Sequence, residues 1–204
     1  MLLHQPTVDA LIEGMTPSAD EVQSRKDVLE FSARDAQLLK ELGPLLAPLE
    51  DAFADLLYQH LEAHPEMGAS LSNPEQLPLL KQKLREYFKQ AFAGDYGPEY
   101  VKSRLRVGVT YQQIGLEPRW FLGAYSKYLS WVLPQVMLLV ANDAERFLAY
   151  SQAITKVSMF DSELSLSAYF HADHEMLRLL AQVFESNLEA VIIADVKGRK
   201  ENQK

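Results

Sequence analysis

The sequence predicts an all-α fold. Apolar residues recur at spacings of three and four in segment after segment, the period of one helix face. Most of the nine Gly and ten Pro stand where such segments begin or end. From Asp143 to at least Leu180 there is neither Gly nor Pro. That stretch is far longer than a mean helix of about 11–12 residues.

Each element has its own signal. Pro17-Ser18 opens a helix through about Glu30, with Val22 and Val28 as apolar anchors. Ser32 followed by Asp35 makes a capping box for a second helix, which carries Leu38, Leu39 and Leu42 and is interrupted at Gly43-Pro44. Pro48 begins a stretch striped by Phe53, Leu56, Leu57 and Leu61 that ends at His64-Pro65, because the residue before proline avoids the α region. Asn73-Pro74 reads as N-cap and first residue of a helix that reaches Gly94. Leu77, Leu80, Leu84, Phe88 and Phe92 line one side of it. Gly97-Pro98 starts the next, through about Gln113. Glu117-Pro118 starts a longer one with Trp120, Tyr125, Leu129 and Val132, kinked at Pro134. Asn142 with Glu145 caps the last. Its face of Phe147, Tyr150, Ile154, Val157, Phe160 and Leu164 must be buried, and a helix of this length is expected to leave the domain or pack on a partner.

Length and charge bound the function. At 204 residues the chain is one domain, or one domain with a fragment attached. A net charge of -8 would repel a polyanion, which argues against nucleic acid as partner. The absence of cysteine excludes disulfides, thiolate catalysis and Cys-based metal sites, and favours the cytoplasm. No apolar run reaches the roughly 18 residues of a membrane span. Residues 1–17 read as an N-terminal tail. Asp9 and Glu13, with no basic start, exclude a signal peptide.

Catalytic patterns are missing. There is no phosphate-binding Gly-rich loop, no G-x-S-x-G elbow and no H-E-x-x-H pair, and no nucleophile stands beside a base, so no enzyme activity is expected of these residues. His60 and His64 share one helix face at metal-chelating spacing, but no third ligand accompanies them, and solvated histidines at a helix end are the plainer reading. His171, Asp173 and His174 read as exposed or partner-facing polar residues of the last helix. Lys81, Lys83, Arg85 and Lys89 read as a solvated basic face. Glu189 to Asp195 is a short β-branched run before Lys197-Gly198, a strand-and-turn signal. One strand does not stand alone, so residues 183–204 read as a linker and the start of a second domain.

The segment Arg106-Val107-Gly108-Val109-Thr110-Tyr111-Gln112-Gln113-Ile114-Gly115-Leu116-Glu117-Pro118-Arg119-Trp120 resembles the junction of two helices in the globin-coupled sensors. Leu29 to Asp35 resembles that family's entry to its first core helix. Tyr58-Gln59-His60-Leu61 through Pro65-Glu66 resembles the helix with its distal tyrosine, and Leu79 to Leu84 the helix facing a bound gas. The resemblance covers roughly residues 18–180, with the sensory domain set at 18–182. Val183 to Asn187 and Asp195 to Arg199 resemble the opening of a PAS domain.

The resemblance implies a globin fold with an extra N-terminal helix and a long C-terminal one. It implies haem b, a diatomic gas such as dioxygen on the iron, and a homodimer through the last two helices at about 118–140 and 143–180. It also implies a C-terminal output domain, in the family a chemotaxis module or a diguanylate cyclase; the PAS-like continuation suits the cyclase. Carried over residue by residue, the cofactor site comprises Tyr111, Tyr58, Leu80, Lys83, Leu84, Ile114, Trp120 and Phe121.

Two positions depart from the family pattern. Tyr111 stands where the family has its proximal histidine, the axial ligand. A tyrosinate there would be anionic and favour ferric iron; alternatively the Tyr111 ring enters the porphyrin space and fills it. Lys83 stands where a small or hydroxyl residue is usual, and would meet a propionate or reach solvent. Tyr58 keeps the distal position; its plainer reading is a core tyrosine with its hydroxyl at the edge. Three readings follow: a haem sensor with unusual ligation, a haem-free signalling globin, or a helical dimerisation module without ligand.

Overall fold

The structure, a computed structural model, describes residues 8–64, 77–141 and 143–201, with side chains as far as 182. The elements among the described residues are helices: α1 Val8–Met15, α2 Ala19–Val28, α3 Ala33–Leu46, α4 Glu50–Glu62, α5 Leu77–Ala91, α6 Pro98–Gln113, α7 Pro118–Leu139 and α8 Ala144–Glu201. A 3-10 turn, Ala47–Leu49, joins α3 to α4.

The capping chemistry read from the sequence sets several boundaries. Ser18 and Glu21 form a capping box on α2, and Ser32 and Asp35 another on α3. Glu30 takes a positive φ of 52°, and Phe31 N–H bonds Lys26 O (2.8 Å), so α2 ends by turning Phe31 into the core. Val28 faces solvent, not the core. Pro98 and Pro118 start α6 and α7. The Asn73-Pro74 start lies outside the described residues. The cap of α8 is Asp143, whose Oδ1 accepts from Arg146 N–H (3.0 Å); the expected Asn142 lies outside the described residues.

Three other expectations are corrected. Residues 8–15 of the supposed tail are a helix, α1, anchored by buried Ile12 and packed on α6 and α8. Gly43-Pro44 does not break α3. Pro44 removes one helical hydrogen bond, but Leu42 and Leu46 are fully buried and Gly43 lets the backbone approach the turn after α5, where a Cβ would come 2.9 Å from Phe92 O. The run Glu189–Asp195 is helix, part of α8, and not a strand. A helix satisfies its backbone within one segment, whereas a strand requires a neighbour.

The long helix α8 is the axis of the domain. Helices α1, α3, α6 and α7 all pack on it, while α4 packs on α5 and α7. Tyr150, Ile154, Val157, Phe160 and Leu164, expected as a partner-seeking face, are buried inside this domain. Leu148, Met159, Phe170, Leu177 and Leu180 point outward instead. The basic run of α5 is not simply solvated. Lys81 pairs with Asp55 (2.5 Å), Arg85 with Asp51 (3.0 Å) and Lys89 with Glu50 (3.0 Å), a row of ion pairs to α4. None of the described helices is long and apolar enough to cross a membrane.

Candidate functional site

The buried face of α8 carries four polar residues among its apolar ones: Ser158, Asp161, Ser162 and Ser165. Ser158 and Ser162 satisfy themselves on α8, donating to Ile154 O (2.7 Å) and Ser158 O (2.8 Å). Asp161 has no such recourse and needs donors from outside its helix.

It finds them on two helices directly. Tyr100 of α6 donates to Asp161 Oδ1 (2.5 Å), and Tyr87 of α5 to Oδ2 (2.8 Å). The Nε of Arg104, also on α6, lies 3.0 Å from Oδ2. The hydroxyls of Tyr87 and Tyr125 are hydrogen-bonded, and since the Tyr87 proton lies on Asp161, Tyr125 of α7 is the donor. Arg104 is 0% exposed, and its guanidinium lies between the rings of Tyr87 and Tyr100, 3.8 and 4.1 Å from their centroids. Its remaining donors reach Gln90 Oε1 (2.9 Å), Ser103 Oγ (3.1 Å) and Tyr87 O (3.2 Å).

Burial pushes the Asp161 carboxyl above its ordinary range, against the opposing pull of Arg104 and the tyrosine donors. Burial likewise drives the Tyr87, Tyr100 and Tyr125 hydroxyls well above theirs, so all three are neutral donors. For Arg104 burial acts against the charge, but Asp161 more than compensates and the guanidinium stays charged. Reading the sequence missed this centre. The available signal was the placement of Asp161 on the apolar face of α8, three residues from Ser158 and four from Ser165.

The residues expected around a cofactor lie elsewhere and are not gathered into one pocket. Tyr111, Trp120, Leu61 and Leu116 pack together, and the Tyr111 ring meets Phe121 edge-on at 5.7 Å. The Trp120 ring packs tilted against His64 (4.7 Å), and His64 meets His60 edge-on (5.2 Å). Burial, then His64 and Lys127, push the His60 imidazole below its usual pKa. Among the described residues no group of three or more His, Asp or Glu could hold a metal ion. Tyr58 points to the rim: its hydroxyl donates to Glu62 (3.1 Å) and Lys81 lies over its ring at 5.3 Å. Lys83 and Ile114 are exposed, Leu80 is half-buried, and Leu84 is half-buried against the main core.

These residues do not fit a haem held by Tyr111. Among the described residues, the cavity beside Tyr111, between Gly108, Leu116, Phe121 and Ser165, measures about 10 Å³, room for a single water at most. Burial pushes the Tyr111 hydroxyl up, which disfavours a phenolate there. A larger hollow of about 250 Å³ opens between Gly43, Ala47, Phe88 and Phe92. None of the cofactor residues carried over from the resemblance lines it.

The order of the helices and the packing of α6 and α7 on a long terminal helix define a globin domain of the sensory type. The Protoglobin family model matches residues 18–175, and the chain belongs to that family. The globin domain of the Geobacter sulfurreducens globin-coupled sensor superposes with a TM-score of 0.67 at 26% identity, covering 72% of this chain and 96% of that one. The heme-based aerotactic transducer HemAT of Halobacterium salinarum is 25% identical over 181 residues, 79% of this chain. The chain spans 37% of that transducer's length.

Proposed function

We propose that this chain is the sensory globin domain of a longer signalling protein, that it works without haem, and that it transmits through α8 to an output domain. The observation that carries the reading is the packing of Tyr111. Its neutral ring sits against Phe121, Leu61, Leu116 and Trp120, with about 10 Å³ of cavity beside it. Filling the porphyrin space with a side chain removes the cost of an empty cavity.

On this reading no diatomic gas is bound, and the input is a protein contact or another ligand acting on the helices around α8. The output domain lies beyond α8, which runs to Glu201, and a diguanylate cyclase is the output that the PAS-like motif of residues 183–199 suits. The domain dimerises through the outward faces of α7 and α8, and these residues carry no catalytic site of their own.

Haem titration of the purified chain tests the reading. Wild type is expected to show no stoichiometric Soret band. Uptake by Tyr111→His alone would mark Tyr111 as the single residue at which the cofactor was lost. A strong Soret band in wild type that changes in Tyr111→Phe would overturn the proposal and establish tyrosine ligation.

A further inference from the structure

A cluster of polar ties between the domain and α8 falls between Lys156 and Ser165. Lys156 reaches the α3 residue Asp35 (3.3 Å) and the carbonyl of Glu30 (2.7 Å). Asp161 takes Tyr87, Tyr100 and Arg104. Glu163 pairs with Arg25 of α2, and Ser165 Oγ donates to Arg104 O (3.0 Å). The last buried side chain of α8 is Ala172, and beyond it the described residues are exposed or half-buried. These polar contacts hold the helix over about three turns, ahead of the stretch past Ala172 whose described side chains are exposed or half-buried.

Among these ties, Asp161 differs from the rest. Lys156 and Glu163 are partly exposed, as surface ion pairs are, while Asp161 is 2% exposed and its partner Arg104 is fully enclosed. A buried ion pair is seldom a net source of stability, because desolvating two charges offsets most of their attraction, and apolar side chains of like volume do as well or better. What the pair supplies is direction. A carboxylate satisfied by hydrogen bonds at fixed angles accepts one rotation and one height of its helix, whereas an apolar face tolerates several. Asp161 is also a junction: α5 and α6 reach it directly, and α7 reaches it through Tyr125 and Tyr87.

We propose that Asp161, with Arg104, is the positioning element that fixes the register of α8 against α5, α6 and α7, so that a displacement of any of these helices shifts the part of α8 past Ala172. The inference deepens the reading of α8 as the route to the output, but its test reads helix position and needs neither an output domain nor haem. Failure of the haem titration leaves it standing, and its own failure leaves the haem-free reading standing.

The chain has no cysteine, so two nitroxides can be placed cleanly, at Glu86→Cys on α5 and His174→Cys on α8 past Ala172. Both parent side chains are exposed. Electron–electron distances are measured in labelled protein diluted with unlabelled protein, in three backgrounds: wild type, Asp161→Asn, and the apolar pair Arg104→Met with Asp161→Leu. The expected result is one narrow distance in wild type and a broadened or shifted distribution in the apolar pair, with helicity and thermal midpoint retained. Asp161→Asn, which keeps the shape but not the charge, is expected to broaden it less. A narrow wild-type distance in the folded apolar pair would overturn the proposal. So would failure of both variants to fold, because the network would then serve stability alone.

Discussion

Gly108 of α6 lies directly against the backbone carbonyl of Ser165 of α8. A Cβ on Gly108 would come 2.8 Å from the Ser165 carbonyl carbon and 3.0 Å from the Ala168 Cβ, and would overlap the Ser165 oxygen itself. Only glycine permits this approach, and Ser165 Oγ bonds the Arg104 carbonyl at the same crossing. Gly108→Ala is expected to force α6 from α8 and cost about 3 kcal/mol or more, the upper range for overpacking. Urea unfolding measures it; a change below about 1 kcal/mol would mean that the crossing relaxes without penalty.

The Arg104–Asp161 pair makes a second prediction through a double-mutant cycle. Arg104→Met leaves Asp161 enclosed without its cation, and Asp161→Leu leaves the guanidinium without its anion. Each is expected to cost about 3–5 kcal/mol, and the two together far less than the sum. Denaturant midpoints of the four proteins give the coupling. Additive single costs would show that the tyrosines, and not the pair, satisfy each group.

Acid titration tests the cap of α3. Asp35 accepts from Ser32 N–H (2.8 Å) and Ser32 Oγ (2.6 Å) and faces Lys156. Burial pushes its carboxyl up, but the Ser32 hydrogen bonds and Lys156 outweigh burial, and the net shift is downward. A carboxyl whose folded pKa is depressed stabilises fully above the unfolded value of about 3.9, and that stability is lost as pH falls through the folded pKa. Asp35→Asn is therefore expected to cost about 1 kcal/mol at neutral pH, with the gap to wild type closing below about pH 4. A gap that widens toward acid would reverse the sign and disprove the assignment.

Much of the fold was legible because it was written locally. Ser18, Ser32, Pro98 and Pro118 act on backbone within one helical turn, and the structure places helix starts at all four. What was misread depends on distant partners. Gly43-Pro44 looks like a break until Phe92 is seen against Gly43. The face from Tyr150 to Leu164 looks free until α3, α6 and α7 cover it. At Tyr111 the sequence offered only what the resemblance implies, a departure from the family pattern at one position. The site was illegible at Arg104 and Asp161, which are 57 positions apart and join only when α6 packs on α8.

The last prediction concerns self-association. Leu148, Met159 and Phe170 of α8 are exposed and stand at intervals of eleven residues, three turns of helix, so they form one stripe; Leu177 continues it. Leu122, Leu138 and Leu139 are exposed on α7, which packs beside α8. A second copy about a two-fold axis is expected to cover these outward residues, the two pairs of helices making a four-helix bundle. Such symmetry places every substitution in the interface twice. Phe170→Glu, at a side chain 52% exposed in the single chain, is expected to cost the monomer less than about 0.5 kcal/mol. At the dimer interface the same change costs about 2 kcal/mol per copy, or roughly a thousandfold in dissociation constant. Sedimentation at micromolar concentration is expected to give a dimer for wild type and a monomer for Phe170→Glu, with unchanged helicity. A monomeric wild type would remove the dimer from the proposal. A dimeric Phe170→Glu would move the interface off this stripe to another face of the domain.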